Sequence, residues 1–474
     1  MAPDLLSSER VGRIRGAGAP DDAARVRWIL AEKASRVLST VSGHPDEERI
    51  VRLSVSAGPV DALGWLRGQR LYPRTYWSGR EGGAEISAVG VADLQTGEGP
   101  EDIDVLRKRL LESGDEGARY YGGGRFDPGR ATDEEWEPFG AYSFVLPRFE
   151  LHAGEEGATL VCNLVLPRDA GRREEVLGQI EGLRAPSGGR TGALPEPLYR
   201  TDAPDREGWD VNVERALAAF SRGRLGKVVL ARRAEFGFDE DLDGFLLAEE
   251  LRDAAPGCFR FYVEPVEGVA FLGASPERLF RREGCSVRSE AVAGTRPRGA
   301  SSVDDEGLRD ELLGSEKDRS EHGFVKVGIE EALRPLCTEL EVEGGVSEMK
   351  LASRRHLVSR VRGELREGVT DADVLRALHP TPAVGGYPGE VALEGIRELE
   401  PFDRGWWAGP VGWVGADASE FAVGIRSGLV RGRTLALFSG AGIVPGSKAE
   451  EEWAEVEQKI GDFTGAFGLG NRAS

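Results

Sequence analysis

FSGAGIVPGSKAEEEWAEVEQK, residues 438–459, passes from a Gly-rich strand exit into an acidic helix start. Gly440, Ala441 and Gly442 lead through Pro445 and Gly446 to Ser447, which reads as a helix N-cap, and Glu450, Glu451, Glu452 and Glu455 then open a helix. On that helix Glu452 and Glu455 are i,i+3 and Glu455 and Lys459 are i,i+4, so two carboxylates and an ammonium share one face, a place for a divalent cation. With no Cβ at Gly440 and Gly442, backbone N–H groups can approach an anionic ligand. The same stretch also reads as a solvated acidic helix start after a tight turn, and its neighbours must decide.

Working back from it, residues 406–444 form a strand meander with turns at Gly415 to Ala418 and Arg431 to Arg433. LHPTPAVGGYPGE (378–390) is too rich in Pro and Gly for helix or strand and reads as a rigid, shaped loop with His379 near its start. A helix expected from about Glu306 to Leu336 carries SEKDRSEHGFVKV, in which Lys317, Asp318, Glu321 and His322 crowd together. That crowd is either a salt-bridged helix face or the source of a third carboxylate, Glu321, for the cation at Glu455. SEAVAGTRPRG (289–299) offers Gly294 and Thr295 with Arg296 and Arg298, as an anion-contact loop or a solvent loop.

Two further positions carry possible proton chemistry. CFRFYVEPVEGVAFLGASPERLF predicts a hairpin of strands 258–264 and 269–273, with Ser275, Pro276 and Glu277 turning out of it. Glu277 is either an ordinary turn residue or a carboxyl kept protonated by an apolar site, as a general acid near neutral pH requires. Upstream, Val213, Ala216, Leu217 and Phe220 mark a helix ended by Gly223 and Gly226 before the strand Lys227 to Phe236. A lysine at the mouth of an apolar strand usually guards an exposed edge. Desolvated, it is instead a candidate base.

APSGGRTGALPEPLYRTDAPDREG, residues 185–208, is the linker candidate, dividing an N-terminal part (1–200) from a C-terminal region (207–470). Before it come a start of no predicted structure, a helix around Ala23 to Val37, short strands at 50–57, 85–93, 141–151 and 158–167, and a helix from about Ala170 to Leu183. GARYYGGGRF (117–126) lacks the GK[ST] of a phosphate loop and reads as a strand-edge turn.

The 474 residues can bury a sizeable core. Lys and Arg number 61 against 81 Asp and Glu, a net charge of −20, which speaks against nucleic-acid or anionic membrane partners. An anionic substrate would need local positive charge or a metal. No apolar run is long enough to span a bilayer and the N-terminus has no signal-type core, so a cytoplasmic location is expected. Cys162, Cys258, Cys285 and Cys337 lie far apart with no CxxC pair, which reads as reduced thiols.

Taken in order, GKVVLAR, FLGASPERLF, AGTRPRG, SEKDRSEH, HPTPAVGGYP, EPFDRGWWAGPVGW, FAVGIRS and FSGAGIVPGS with EEEWAEVEQK resemble the chorismate-binding enzymes over about residues 209–468. That family holds isochorismate synthases, salicylate synthases, anthranilate synthase large subunits and aminodeoxychorismate synthases. The resemblance implies an α+β fold of two large antiparallel sheets stacked as a sandwich, with helices outside. It implies that Lys227 activates the water that attacks the ring and that Glu277 protonates the departing hydroxyl. Anthranilate-forming members typically carry glutamine at the lysine, so no obligatory amidotransferase subunit is expected.

By the same resemblance, Glu321 and Glu455, with Glu452 nearby, match Mg²⁺ carboxylates, and oxygen-only ligation suits that hard cation. Arg426, Gly440, Ala441 and Lys459 match contacts to the carboxylates of chorismate, while Thr295, His379, Ala383 and Val384 line the ring site. Salicylate synthases tend to have threonine where Ala383 stands, so the sequence looks more like the isochorismate-forming members. The long N-terminal part is similar to the menaquinone-pathway enzymes. A salicylate synthase, or an isochorismate synthase of a siderophore pathway, is the alternative.

Overall fold

Two long antiparallel runs of strands share one member, Tyr142–Ala153, and it is this sharing that joins the two runs. In the computed structural model, residues 20–40, 48–115, 117–187, 194–352 and 354–469 are described. The chain start at 1–19 and residues 188–193 of the linker candidate lie outside them.

The first run passes from Tyr199–Ala203 through Lys227–Gly237, Thr434–Ile443, Ser427–Arg431, Val269–Ser275, Phe259–Val266, Arg74–Ser78 and Glu85–Gly97 to Tyr142–Ala153. It ends on Ala158–Leu166 and Arg49–Ala57. The second leaves Tyr142–Ala153 through Arg119–Gly124, Pro410–Gly415, Ala418–Val423, Arg278–Glu283 and Ser286–Pro297 to Arg354–Leu365. All pairs are antiparallel and helices flank them, the α+β arrangement that the motifs imply. Hydrogen bonding is continuous through the twenty strands of the described residues, so the two expected sheets are branches of one network.

Pairs such as Thr75↔Val263 and Trp413↔Tyr121 cross the linker candidate, and Tyr199–Ala203 within it pairs with Lys227–Gly237. The glycines of GARYYGGGRF lie in the strand Arg119–Gly124. A Cβ at Gly123 would fall 2.6 Å from Pro410 O and 2.7 Å from the Trp406 ring, so close packing between strands explains them.

The helix expected over 306–336 is two, Ser302–Gly314 and Glu316–Leu333. Ser315 breaks the run with extended backbone and caps the second helix, its Oγ accepting from Asp318 N at 3.2 Å. The last helix, Ala449–Ala466, has Lys448 and not Ser447 at its N-cap position, without a side-chain cap; Ser447 Oγ instead accepts from Val444 N at 3.2 Å to close the preceding turn.

Against the first run of strands lies an aromatic cluster. Trp136 meets Phe139, Phe271 and Phe438 with ring centroids 5.5–5.8 Å apart, and Phe438 stacks on Trp407 at 5.9 Å. Residues from both parts of the chain thus form the floor beneath Gly440. Among the described residues, no helix is long and apolar enough to cross a membrane.

Candidate active site

Lys227 begins a strand that is paired on both sides, by Tyr387 on one and by Thr434–Ile443 on the other, so it guards no edge. Its side chain is 0% exposed. Nζ stands 3.0 Å from Glu321 Oε1, but in a direction outside hydrogen-bond geometry, and among the described residues it has no aligned acceptor. A buried lysine nitrogen with no aligned partner is a place for a water or a substrate oxygen. Val229, two residues on and therefore on the same strand face, lines a cavity with Glu321, Gly440 and Gly442. A Cβ on Gly442 would come within 2.9 Å of Lys227 Cε and would collide with Glu321, so the absence of a side chain there is what lets the pair approach the cavity.

Glu277 enters the same cavity from the link between the strands Val269–Ser275 and Arg278–Glu283, where the chain passes from one run to the other. It is 3% exposed, and burial pushes its carboxyl up to about 8; the Lys227 charge opposes this and Glu290 adds to it. Thr381 Oγ1 lies 3.5 Å from Glu277 Oε1, and Ser275 Oγ accepts from Glu277 N at 3.2 Å. The turn leaving the hairpin is thus fixed, and its carboxyl is held in the protonated form that can donate.

The positive groups sit at the C-terminal side. Lys459 Nζ donates to Gly440 O at 2.8 Å and pairs with Glu455 Oε1 at 2.8 Å. Burial works to raise the Glu455 carboxyl, but Lys459, Lys317 and Arg426 outweigh it and hold Glu455 below its ordinary range. Arg426 adopts a positive φ of 50°, a left-handed backbone unusual for a side chain of its size, which directs its guanidinium to the cavity wall. Thr295, Ala383 and Val384 also line the cavity.

Three expected site residues lie elsewhere. His379 donates to or accepts from no cavity group: its Nε2 is 3.0 Å from Phe126 O, and its ring meets Phe126 edge-on at 5.9 Å. Ala441 is buried on the strand face opposite Gly440 and Gly442, as strand alternation requires. Glu452, 1% exposed, is taken by Lys317 Nζ at 2.6 Å and does not line the cavity.

The histidine that does line the cavity is His356, whose Nδ1 is 3.0 Å from Thr295 Oγ1. Burial, with the charges of Arg426 and Lys459, pushes it down to about 3, so it is neutral there. Its only sequence signal is its place among the alternating apolar positions of RRHLVSRV, beside Thr295 across the strand pair. Arg404 was likewise hidden inside EPFDRGWW. It donates to Val384 O at 2.8 Å, Val229 O at 2.9 Å and Glu400, tying the Pro-rich loop to the lysine strand.

Glu321 and Glu455 are the carboxylates left facing the cavity. Among the described residues, no three His, Cys, Asp or Glu side chains are grouped closely enough to enclose a metal on their own. Two carboxylates with room for water and ligand oxygens fit Mg²⁺, which retains several waters and takes few protein ligands. The donor set is all oxygen, so it fits no softer metal better.

The family pattern described as chorismate binding enzyme matches residues 36–468. The isochorismate synthase MenF of Bacillus subtilis is 35% identical over 372 residues, covering 77% of this chain and 78% of that one. Isochorismate synthase 2, chloroplastic, of Arabidopsis thaliana is 34% identical, covering 89% and 81%. Among solved structures, MenF of Escherichia coli, described as the menaquinone-specific isochorismate synthase, superposes with a TM-score of 0.81 at 29% identity, over 93% of this chain and 99% of that one.

Proposed function

The chain belongs to the family of chorismate-binding enzymes, and from that premise we propose that it is an isochorismate synthase, converting chorismate to isochorismate. The observation that carries this reading is the pairing of a fully buried Lys227, 3.0 Å behind the cavity-lining Glu321, with a cavity-lining Glu277 that keeps its proton up to about pH 8. One side of the site can take a proton from water while the other gives one up.

Lys227, acting as base through the lone pair of its Nζ, removes a proton from a water held beside it. The oxygen of that water bonds to C2 of the ring, the double bonds shift, and the C4–oxygen bond breaks. Glu277 supplies the proton with which the C4 hydroxyl departs as water, so substrate and product are isomers. Proton return from Lys227 to Glu277 through solvent resets the site. Thr295, His356, Ala383 and Val384 shape the ring site, and Arg426 and Lys459 supply positive charge for the two carboxylates of the substrate.

Glu321 and Glu455 are the residues that would hold Mg²⁺. When bound, it supplies further positive charge opposite a substrate carboxylate, which a chain of net charge −20 otherwise lacks. Glu452, engaged with Lys317, would support this pair from behind. Resemblance to the menaquinone-specific relatives supports a role in menaquinone synthesis, in the cytoplasm and without an amidotransferase subunit.

Chromatographic separation of the products formed from chorismate and Mg²⁺, with and without ammonium, tests the reading. Isochorismate alone is expected. Salicylate with pyruvate would assign the alternative activity, and anthranilate appearing only with ammonium would overturn the role of Lys227.

A further inference from the structure

A second pocket of ≈ 100 Å³ lies against the catalytic cavity, which measures ≈ 110 Å³. Pro276, His356, Arg426 and Phe463 line both, so these side chains form the partition. The remaining walls are largely apolar and include Leu251, Ala254, Pro256, Ala274 and Leu351. At the polar end, Arg426 Nη1 is 3.2 Å from Asp462 Oδ2, and Arg354 Nη2 is bonded to that same oxygen. Arg354 precedes His356 by two on one strand, so both face the partition, and its side chain is 8% exposed.

Asp462 is the one carboxylate lining this pocket, against two guanidiniums. Two guanidiniums thus share one carboxylate at the end of an apolar chamber. Guanidinium pairs select planar carboxylates through parallel N–H donors. Apolar walls penalise a heavily hydrated polyanion, which would have to shed its water against Leu251, Leu351 and Phe463.

We propose that this pocket is a binding subsite for a small apolar monocarboxylate, which lays its hydrocarbon body against Leu251, Leu351 and Phe463 and its carboxylate on Arg354 and Arg426 in place of Asp462. Asp462 is the internal placeholder of the empty subsite. Because Arg426 also faces the catalytic cavity, the occupant and the substrate compete for that guanidinium, and the subsite is inhibitory. The kinetic consequence rests on the isochorismate synthase reading; the binding does not.

Benzoate serves as the probe and benzamide as its uncharged isostere, with binding to the full-length protein read by saturation-transfer NMR. Benzoate is expected to bind and benzamide to bind far more weakly. Arg354→Gln should weaken benzoate by about tenfold, the loss of one charge-assisted pair. Ala254→Trp, at an exposed position on the pocket rim, should block benzoate while leaving kcat for chorismate within about twofold of the parent. Asp462→Asn, removing the placeholder, should tighten benzoate, and benzoate should raise KM for chorismate without lowering kcat.

Benzoate binding that survives both Arg354→Gln and Ala254→Trp would place the probe in the catalytic cavity and overturn the proposal. So would equal binding of benzamide, or an Asp462→Asn variant that binds benzoate less well. Since NMR needs no turnover, a protein that binds benzoate as expected yet leaves chorismate unchanged would sink the isochorismate synthase reading and keep the subsite.

Discussion

Lys227 Nζ stands 3.0 Å from Glu321 Oε1, and Gly442 on the adjoining strand leaves the space in which they meet. The geometry of the pair therefore depends on an atom that is missing from the sequence. Gly442→Ala should displace Glu321 and shift Lys227, because the added Cβ lies 2.9 Å from Lys227 Cε and closer still to the carboxylate. The strand keeps its ladder, since the backbone at Gly442 needs no positive φ. Turnover is expected to fall by roughly 100-fold, the scale of a lost general base, with thermal unfolding little changed. A variant with parental kcat would show that the lysine's position is not limiting.

Glu277 sets the alkaline limit. Its carboxyl, pushed up to about 8 by burial, must be protonated to donate, so kcat should hold at neutral pH and decline as the pH rises through about 8. Stability follows the same sign. Below the ordinary value of 4.5 both folded and unfolded states are protonated; between 4.5 and about 8 only the unfolded chain gives up the proton, so the folded state loses ground; above that the loss is complete. Glu277→Gln should thus lose roughly 100-fold in kcat and gain stability over the parent between those pH values, as measured by urea unfolding. Parallel stability curves would mean that burial is not what holds the proton.

Arg80 connects the N-terminal part of the chain to that acid. It pairs with both oxygens of Glu290, at 2.8 and 2.5 Å, and donates to Pro276 O at 2.7 Å, the carbonyl just before Glu277. Glu290 raises the Glu277 carboxyl by like charge, and Arg80 compensates that charge. Arg80→Met should leave Glu290 less neutralised and move the alkaline limb of kcat to higher pH, with some loss of kcat as the turn loosens. A limb that stays in place while kcat falls would reduce Arg80 to backbone support.

Where the chemistry depends on periodicity and turn residues, it was legible in the sequence. The strand Lys227–Gly237, the hairpin before Glu277, the meander to Ile443 and the acidic helix all follow from local signals. What depends on which face meets which could not be read so. Lys227 looked like an edge residue until Tyr387 closed its free side, and Ser315 divided a helix that carries charge evenly on both sides of it. His379, in a motif, proved to bond the backbone of Phe126, while His356, in an unremarked strand, faces the cavity; only the pairing of its strand with Thr295 distinguishes them. Glu452 and Glu455 share a helix face in projection, yet Lys317 from another helix takes the first and leaves the second to the cavity.

That division of the acidic helix predicts how the metal requirement responds. Chelation with EDTA should stop turnover and added Mg²⁺ should restore it. Glu455→Gln should raise the Mg²⁺ concentration for half-maximal activity by about tenfold or more, the usual scale for loss of one ligand or its support. Glu452→Gln should shift it much less, because Lys317 and not the cavity holds that carboxylate. Equal shifts in the two variants would return Glu452 to the metal.

Arg404 makes the strongest claim on the scaffold. It is 2% exposed, pairs with Glu400 through two nitrogens, lies over the Phe126 ring at 4.2 Å and donates to Val229 O and Val384 O, both carbonyls of cavity-lining residues. Glu400 in turn accepts from Ala231 N at 2.8 Å, so the pair staples the lysine strand to the Pro-rich loop. Arg404→Met strands a buried carboxylate and two carbonyls, and should cost about 3–5 kcal/mol in urea unfolding. Adding Glu400→Leu removes the uncompensated charge, so the double variant should be more stable than Arg404→Met alone. Its kcat should nevertheless stay low, because Val229 and Val384 remain untied; recovery of both stability and kcat would show that the pair only fills space and that the loop finds its place without it.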